Sequence, residues 1–232
     1  KILNIIKEEM LELEKNYGDD RKTQIIQTEA AAIEEEHLIK PEDMVVTLTY
    51  AGYVKRLPVD TYQAQRRGGK GVIAAETKEE DFVEDLFIAN THDYLLLFTN
   101  LGKVHWLKVY QIPEAGRYAK GTAIVNLLEL AQGEKVATCV PVKGFPEDKF
   151  LLLVTKQGTV KKTPLAEFAN PRKGGIIAVT LTKEDELIAV ELTDGKQEII
   201  IATKEGNAIR FNEADVRPMG RTAQGVIGIR LR

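Results

Sequence analysis

The 232-residue sequence contains no serine, one cysteine, one tryptophan and three histidines. The absence of serine excludes every mechanism that depends on a serine nucleophile. Cys139 has no partner for a disulfide, and its surroundings, VATCVPV, predict a small core residue rather than a reactive thiol. His37, His92 and His105 lack the spacing of metal ligands, so we expect structural or surface roles for them.

Long apolar runs are missing as well, so no segment predicts a membrane-spanning helix, and the acidic N-terminus does not fit a signal peptide. We therefore expect a cytoplasmic protein with no membrane partner, which agrees with the single cysteine. An excess of positive charge is also absent, because the formal net charge is −3. The distribution is uneven, however: residues 1–43 carry a net charge of −6 and residues 44–232 a net charge of +3. Local fields steer polyanions, so nucleic acid is not excluded.

Residues 44–232 contain four copies of one pattern. Short runs of Val, Ile, Leu and Thr between glycine turns predict an all-β fold. The hairpin glycines are 50, 56 and 48 residues apart, namely Gly52, Gly102, Gly158 and Gly206. Each is followed 17 or 19 residues later by a second glycine in a basic turn, namely Gly71, Gly121, Gly175 and Gly225. With one further strand between copies, each repeat has four strands in about 50 residues, the size of a propeller blade.

The N-terminal part has a different character. Residues 2–17 carry an apolar stripe at helical spacing and predict an α-helix. We therefore predict a helical region at 1–18, a connecting segment at 19–43 and a β domain at 44–232. Blades bury one face against the next and protect their edges by closing into a ring. Four repeats accordingly predict a fragment of a longer protein.

The segment QRRGGKG, residues 65–71, is the most basic of the repeated turns. A nucleotide-binding loop is a poor explanation, because a Walker A lysine precedes Ser or Thr and a helix, whereas Lys70 precedes glycine and the strand VIAA. A DNA backbone is the better ligand, since glycines beside cations let backbone N–H groups approach phosphates. Trp106 lies on a strand and is predicted to pack rather than to stack on bases.

Cations recur at two places in each repeat, in the basic turn and on the hairpin strand before it. Equivalent positions on a ring of blades fall on one rim, where they would contact a curved DNA backbone without reading bases. The predicted DNA-binding residues are Gln65, Arg66, Arg67, Gly68, Gly69, Lys70, Gly71, Lys55, Arg56, Arg117, Lys120, Lys161, Lys162, Arg172, Lys173, Arg210 and Arg221. A protein-binding propeller scaffold, whose basic turns only keep blade edges soluble, stays open as the alternative.

These residues carry a resemblance to the family of DNA gyrase A subunits. QRRGGKG matches the box motif of that family, and EDMVVTLTYAGYVKRLPVDTYQAQRRGGKG, KEEDFVEDLFIANTHDYLLLFT, LKVYQIPEA and GTAIVNLL extend the similarity over essentially the whole chain. The resemblance implies a β-pinwheel, a propeller-like fold of six blades in which neighbouring repeats exchange strands, with four blades visible. It also implies that the helix at 2–17 is the end of the breakage-reunion domain.

The resemblance further implies a function. In this family the C-terminal domain wraps duplex DNA with a positive-handed crossing and presents it for ATP-driven strand passage. The chain is then non-catalytic and holds no cofactor, while ATP and magnesium bind the B subunits of the enzyme. The expected partners are double-stranded DNA, the gyrase B subunit and a second gyrase A polypeptide in an A2B2 assembly, located at the nucleoid in the cytoplasm. The corresponding polypeptide of topoisomerase IV remains an alternative, although the intact box argues against it.

Overall fold

A computed structural model describes residues 2–19, 35–61 and 81–231. The chain divides into two compact units, Lys1–Leu38 and Ile39–Arg232. The first unit contains the helices α1 (Ile2–Tyr17) and α2 (Glu35–Leu38). Helix α1 confirms the prediction from the apolar stripe, and none of its side chains is buried. No described helix combines the length and the apolar character needed to cross a membrane.

The described residues of the second unit form fourteen strands and five short 3-10 turns. The strands are β1 (Asp43–Thr49), β2 (Tyr53–Pro58), β3 (Val83–Asn90), β4 (Tyr94–Thr99), β5 (Lys103–Lys108), β6 (Thr122–Ala123), β7 (Val136–Val142), β8 (Phe150–Thr155), β9 (Thr159–Pro164), β10 (Ile176–Ile177), β11 (Leu187–Thr193), β12 (Glu198–Ala202), β13 (Ala208–Asn212) and β14 (Val226–Ile227). The 3-10 turns are Val59–Thr61, Val109–Gln111, Ile124–Asn126, Leu165–Phe168 and Glu213–Asp215.

The strands assemble into one sheet for each repeat. Three sheets have four strands, in the orders β3-β1-β2-β6, β10-β5-β4-β7 and β11-β8-β9-β14, and a fourth contains β12 and β13. Every strand pairing is antiparallel, and the hairpins turn at the predicted hairpin glycines, with Leu48 opposite Val54 across Gly52. The prediction of an all-β array of four-stranded blades is confirmed.

One strand of each four-stranded sheet comes from the following repeat. Strands β6, β10 and β14 pair with β2, β5 and β9 of the repeat before their own. A backbone N–H of each exchanged segment donates to the carbonyl of the preceding hairpin glycine at 2.8–2.9 Å: Ile124 to Gly52, Ala178 to Gly102, and Gly228 to Gly158. The strand exchange that the resemblance implied is therefore present. The basic turns that precede β6, β10 and β14 consequently lie on the sheet of the preceding repeat.

Strand β4 shows how neighbouring sheets bury one another. Leu95 and Leu97 pack in a core cluster with residues of the first sheet, whereas Leu96 and Phe98 pack in a cluster with residues of the third. All four side chains are at most 1% exposed. Each such burial stabilises the fold by about 1.5–3 kcal/mol, and burial on both faces explains why the run LLLF shows no apolar–polar alternation.

The segment before β1 belongs to the same compact unit as the strands, because it binds the turn between β3 and β4. The Nε2 atom of His92 lies 2.8 Å from the carbonyl oxygen of Ile39. The hydroxyl of Thr91 donates to the carbonyl of Lys40 at 2.9 Å and accepts from the N–H of Glu42 at 3.1 Å. These contacts between distant residues fix the start of the unit at Ile39.

The second glycines of the repeats are required by close backbone approach. Gly121 and Gly225 have φ angles of +84° and +106°, and an added Cβ would lie 2.5 Å from the Val54 carbonyl oxygen and 2.6 Å from that of Val160. We expect Gly121→Ala and Gly225→Ala each to lower the free energy of unfolding by about 1–3 kcal/mol, from strain at positive φ and from the clash. Urea denaturation measures this. Gly116→Ala is the matched control, because nothing lies within 4 Å of its added Cβ; equal losses in all three variants would contradict the expectation.

Candidate nucleic-acid interface

Four of the predicted DNA-binding cations lie on the turns that precede β6 and β10. These turns, together with the one before β14, are named the exchanged turns: residues 116–121, 172–175 and 220–225. Lys120, Arg172 and Lys173 are exposed, and Arg117 is half-buried with its guanidinium carbon 5.7 Å from the centre of the Tyr118 ring. Cations held at the surface by short loops can reach phosphate oxygens, which is the requirement for backbone binding.

Two further predicted contacts reach the surface with an acidic neighbour. The Nε atom of Arg210 lies 3.4 Å from Glu198 Oε2, and both side chains are more than half exposed. The Nε atom of Arg221 lies 3.8 Å from Glu167 Oε2, with both side chains partly exposed. Ion pairs of this exposure contribute about 0–1 kcal/mol, so a phosphate can compete with the carboxylate for either arginine.

Lys55, Lys161 and Lys162, which were also predicted to contact DNA, lie in the interior of the structure. Their exposed fractions are 3%, 1% and 4%. Each ammonium group donates to backbone carbonyls instead: that of Lys55 to Gly116, Arg117 and Ala119, that of Lys161 to Ala178 and Arg221, and that of Lys162 to Glu213. The sequence showed that cations recur at equivalent positions of the repeats. It did not show whether their side chains point to solvent or into the interior.

The fourth residue after the hairpin glycine, which is Arg56 in the first repeat and Trp106 in the second, joins neighbouring repeats. Arg56 Nε donates to the Ile112 carbonyl at 2.6 Å, and Trp106 Nε1 donates to the Phe168 carbonyl at 2.9 Å. Ile112 and Phe168 are equivalent residues at the ends of the 3-10 turns of the next repeats. Arg56 is thus half-buried with one nitrogen occupied, and the prediction that Trp106 packs within the fold is confirmed.

Burial changes the acidity of Lys161. Desolvation lowers the pKa of this lysine to about 8, the positive charge of Arg221 lowers it as well, and the carboxylate of Glu167 opposes the change. The group is accordingly still cationic at pH 7. A cation that is buried in this way requires carbonyl acceptors, and Ala178 supplies one at 2.6 Å.

In the second repeat, His105 takes the place of Lys55 and Lys161. It is 2% exposed, and its Nε2 atom lies 3.4 Å from Glu134 Oε1. Burial raises the pKa of Glu134, but the N–H of Ala131, the Thr99 hydroxyl, His105 and the charge of Lys103 together bring the pKa below its ordinary value. The predicted structural role of His105 is confirmed.

The other reactive side chains also have structural surroundings. Cys139 packs against a core cluster, and burial raises the pKa of its thiol, which agrees with the prediction of an unreactive core residue. His92 binds the Ile39 carbonyl, as described above. The side chain of His37 lies outside the part of the chain that can be described. Among the described residues, no group of three or more His, Cys, Asp or Glu side chains is arranged to hold a metal ion.

The box segment Gln65–Gly71 belongs to residues 62–80, which are outside the described ranges. The predicted roles of Gln65, Arg66, Arg67, Gly68, Gly69, Lys70 and Gly71 in DNA binding therefore stay predictions.

Two exposed residues in or near the exchanged turns were missed from the sequence. Tyr118 lies beside Arg117, and Arg217 lies four residues before Arg221. Both belong to the segments GRYAKG and VRPMGRTAQG that contain the basic turns, so the turn composition was the available signal. An exposed aromatic ring beside an arginine can stack on a sugar or base edge.

Strand-exchanging sheets with cations on the connecting turns define a propeller-type repeat domain with a basic surface. A family model described as "DNA gyrase C-terminal domain, beta-propeller" matches residues 43–90, 93–143, 149–194 and 197–232. These four matches coincide with the four repeats. The chain belongs to this family.

Curated relatives agree with that assignment. The chain is 53% identical over 228 residues to the DNA gyrase A polypeptide of Clostridium acetobutylicum, and the aligned region covers 98% of this chain and 27% of the relative. It is 49% identical over 231 residues to the DNA gyrase A polypeptide of Haemophilus influenzae, and the aligned region covers 100% of this chain and 26% of the relative. The chain thus spans about a quarter of the length of these relatives.

Solved structures of two related domains share the fold. The C-terminal domain of DNA topoisomerase IV matches with a TM-score of 0.71 and 32% identity, over 84% of this chain and 59% of that one. The DNA gyrase A C-terminal domain matches with a TM-score of 0.64 and 32% identity, over 82% of this chain and 61% of that one. Both solved domains are 32% identical to this chain, so their sequences do not separate the two enzymes. The higher identity to the curated gyrase A polypeptides favours the gyrase side of the family.

Proposed function

We propose that this chain is the DNA-wrapping region of a gyrase A polypeptide. The observation that carries the proposal is the placement of Arg117, Lys120, Arg172 and Lys173 at the surface, on exchanged turns of consecutive repeats of this family. A regular array of turns offers a phosphate contact at each repeat. Duplex DNA that follows the array is bent by it.

The energetics favour backbone binding. Bending a 20–30 bp duplex costs on the order of several kcal/mol, and many phosphate contacts are needed to offset that cost. The cations lie on loops and short turns, and the described part of the domain presents no helix for the major groove. Contacts of this kind position DNA without reading its sequence, and deformability then governs which sequences are wrapped.

The proposal extends to the complete protein. There the wrapped segment is presented for strand passage by an ATP-dependent type II topoisomerase at the cytoplasmic nucleoid, assembled from two gyrase A and two gyrase B polypeptides. The chain itself is non-catalytic and holds no cofactor, and ATP and magnesium act on the gyrase B polypeptides. The similarity to topoisomerase IV makes the C-terminal domain of that enzyme the second candidate.

Wrapping with a defined hand has a direct readout. Closed circular plasmid is relaxed by a type I topoisomerase with increasing amounts of the chain, and the protein is then removed. We expect residual positive supercoils whose number grows with the amount of chain, because a positive-handed wrap constrains positive crossings. Plasmid that is fully relaxed, as in the reaction without the chain, would contradict the proposal and favour a protein-binding scaffold.

A further inference from the structure

The ammonium group of Lys55 lies directly beneath the exchanged turn of the second repeat. It donates to the carbonyl oxygens of Gly116 at 3.3 Å, Arg117 at 2.6 Å and Ala119 at 2.9 Å. These acceptors are 61–64 residues away in sequence, and Lys55 is 3% exposed. One buried cation thus binds three backbone carbonyls of the turn that carries Arg117 and Lys120.

The arrangement recurs two repeats later. Lys161 is the third residue after Gly158, as Lys55 is the third after Gly52. Its ammonium group donates to the carbonyl of Arg221, in the exchanged turn of the fourth repeat, and to that of Ala178. The second repeat has His105 at this position, and a Cβ added at Gly175 would lie 2.8 Å from its ring. The residue at this position therefore meets the next exchanged turn in all three described cases.

The hydrogen bonds determine what the turn offers to solvent. An unpaired ammonium group in the interior is costly, so the carbonyls must stay directed toward it. Carbonyl oxygens directed inward do not repel an approaching phosphate. Fixing the backbone of a residue costs about 1–2 kcal/mol of conformational entropy, and a turn that is already fixed does not incur this cost again on binding.

We infer that Lys55 is a positioning residue for DNA binding: through three backbone carbonyls it holds the second repeat's exchanged turn so that Arg117 and Lys120 face the phosphates. Lys161 holds the backbone of the fourth repeat's exchanged turn through one carbonyl, that of Arg221. The inference rests on the proposed function, since it assigns Lys55 a role in DNA binding without a contact to DNA. A lysine that recurs in phase with the basic turns is therefore not by itself a sign of a DNA contact, because here its ammonium group binds the backbone of the turn.

The first test needs no DNA. Lys55→Met keeps most of the length and the apolar stem of the side chain but removes the donor. Hydrogen exchange of the full chain is expected to accelerate at the Ala119 amide, which donates to the Gly116 carbonyl in the intact turn. Leu48→Ala is the matched control, because Leu48 is buried in the same sheet and its side chain has no donor for the carbonyls of the turn. Unchanged protection of the Ala119 amide in Lys55→Met, or an equal loss in Leu48→Ala, overturns the inference whether or not the chain binds DNA.

The second test is a double-mutant cycle on duplex affinity. Lys55→Met is measured alone, and in a chain that also carries Arg117→Gln and Lys120→Gln, under conditions in which all variants are folded. Acting through two phosphate-binding side chains, Lys55→Met alone should weaken binding and lower the salt slope by up to about 1.8. In the Arg117→Gln, Lys120→Gln background it should have no further effect on affinity.

The remaining outcomes of the cycle are decisive as well. Additive losses would mean that Lys55 itself contacts DNA or acts elsewhere, and would overturn the positioning role. An unchanged affinity in Lys55→Met, with wild-type binding intact, would do the same. Absence of duplex binding by the wild-type chain would instead remove the proposed function, while the exchange experiment still reports on the turn.

Discussion

Replacing Arg66, Arg67 and Lys70 by glutamine is expected to abolish DNA supercoiling by the complete enzyme while sparing DNA relaxation. The three cations belong to the box, the most basic of the four repeated turns. On the proposed function, the wrap without these cations lacks an anchoring point, so the passed segment should no longer arrive with a defined hand. The same proposal assigns strand passage to another part of the complete enzyme, so relaxation should continue.

In the isolated chain, the effect of the same substitution is measured as a change in the salt dependence of duplex binding. Each lost phosphate contact lowers the slope of log K against log salt by roughly 0.9, so the triple substitution should lower it by about 2–3. The control removes three exposed lysines outside the basic turns, Lys143, Lys183 and Lys204. Supercoiling that is unchanged in the box variant, or lost equally in the control, would contradict the role assigned to the box.

The second large effect is expected from the exchanged turns. Changing Arg117, Lys120, Arg172 and Lys173 to glutamine should lower the salt slope by about 3–4 and weaken duplex binding at physiological salt on the order of 100-fold. The reason is that these side chains reach the surface on turns that the preceding sheets hold in place. Thermal stability should change little, since surface substitutions away from packed features stay within about 0.5 kcal/mol.

A charge-matched control separates geometry from net charge. Lys143, Lys183, Lys196 and Lys204 are exposed and lie outside the exchanged turns. Their replacement by glutamine removes the same four charges. If total charge alone governed binding, both variants would lose affinity equally. The structure predicts a clearly larger loss for the exchanged-turn variant.

The architecture was largely accessible from the sequence. The regular spacing of the hairpin glycines predicted the hairpins, and the second glycines predicted the turns. Glycine is informative there because only glycine fits where the backbone of Gly121 lies against Val54. The hydroxyls of Thr49, Thr99, Thr155 and Thr203 add a sign that was overlooked. Each accepts a backbone N–H four residues on, at 3.1–3.3 Å, so the repeated signal is Thr-x-x-Gly rather than glycine alone.

Whether each cation is buried or exposed could not be predicted from the sequence in the same way. Lys55 and Lys120 are both lysines in phase with the repeat, yet one is buried under a turn and the other is exposed on it. Local composition does not separate them, because the difference arises when the exchanged turn of the next repeat covers the strand. Strand exchange, a contact between residues about 60 apart, thus decides which basic residues remain for DNA.

The central claim is that duplex DNA binds this chain through phosphates at exposed cations of the exchanged turns and the box. The measurement that tests it most directly is a fluorescence titration of a labelled duplex with the wild-type chain at several salt concentrations. Contacts from the four cations of the exchanged turns and the three box cations, at roughly 0.9 each, predict a plot of log K against log salt with a slope of about −6. Undetectable duplex binding, or an affinity that does not change with salt, would contradict the account.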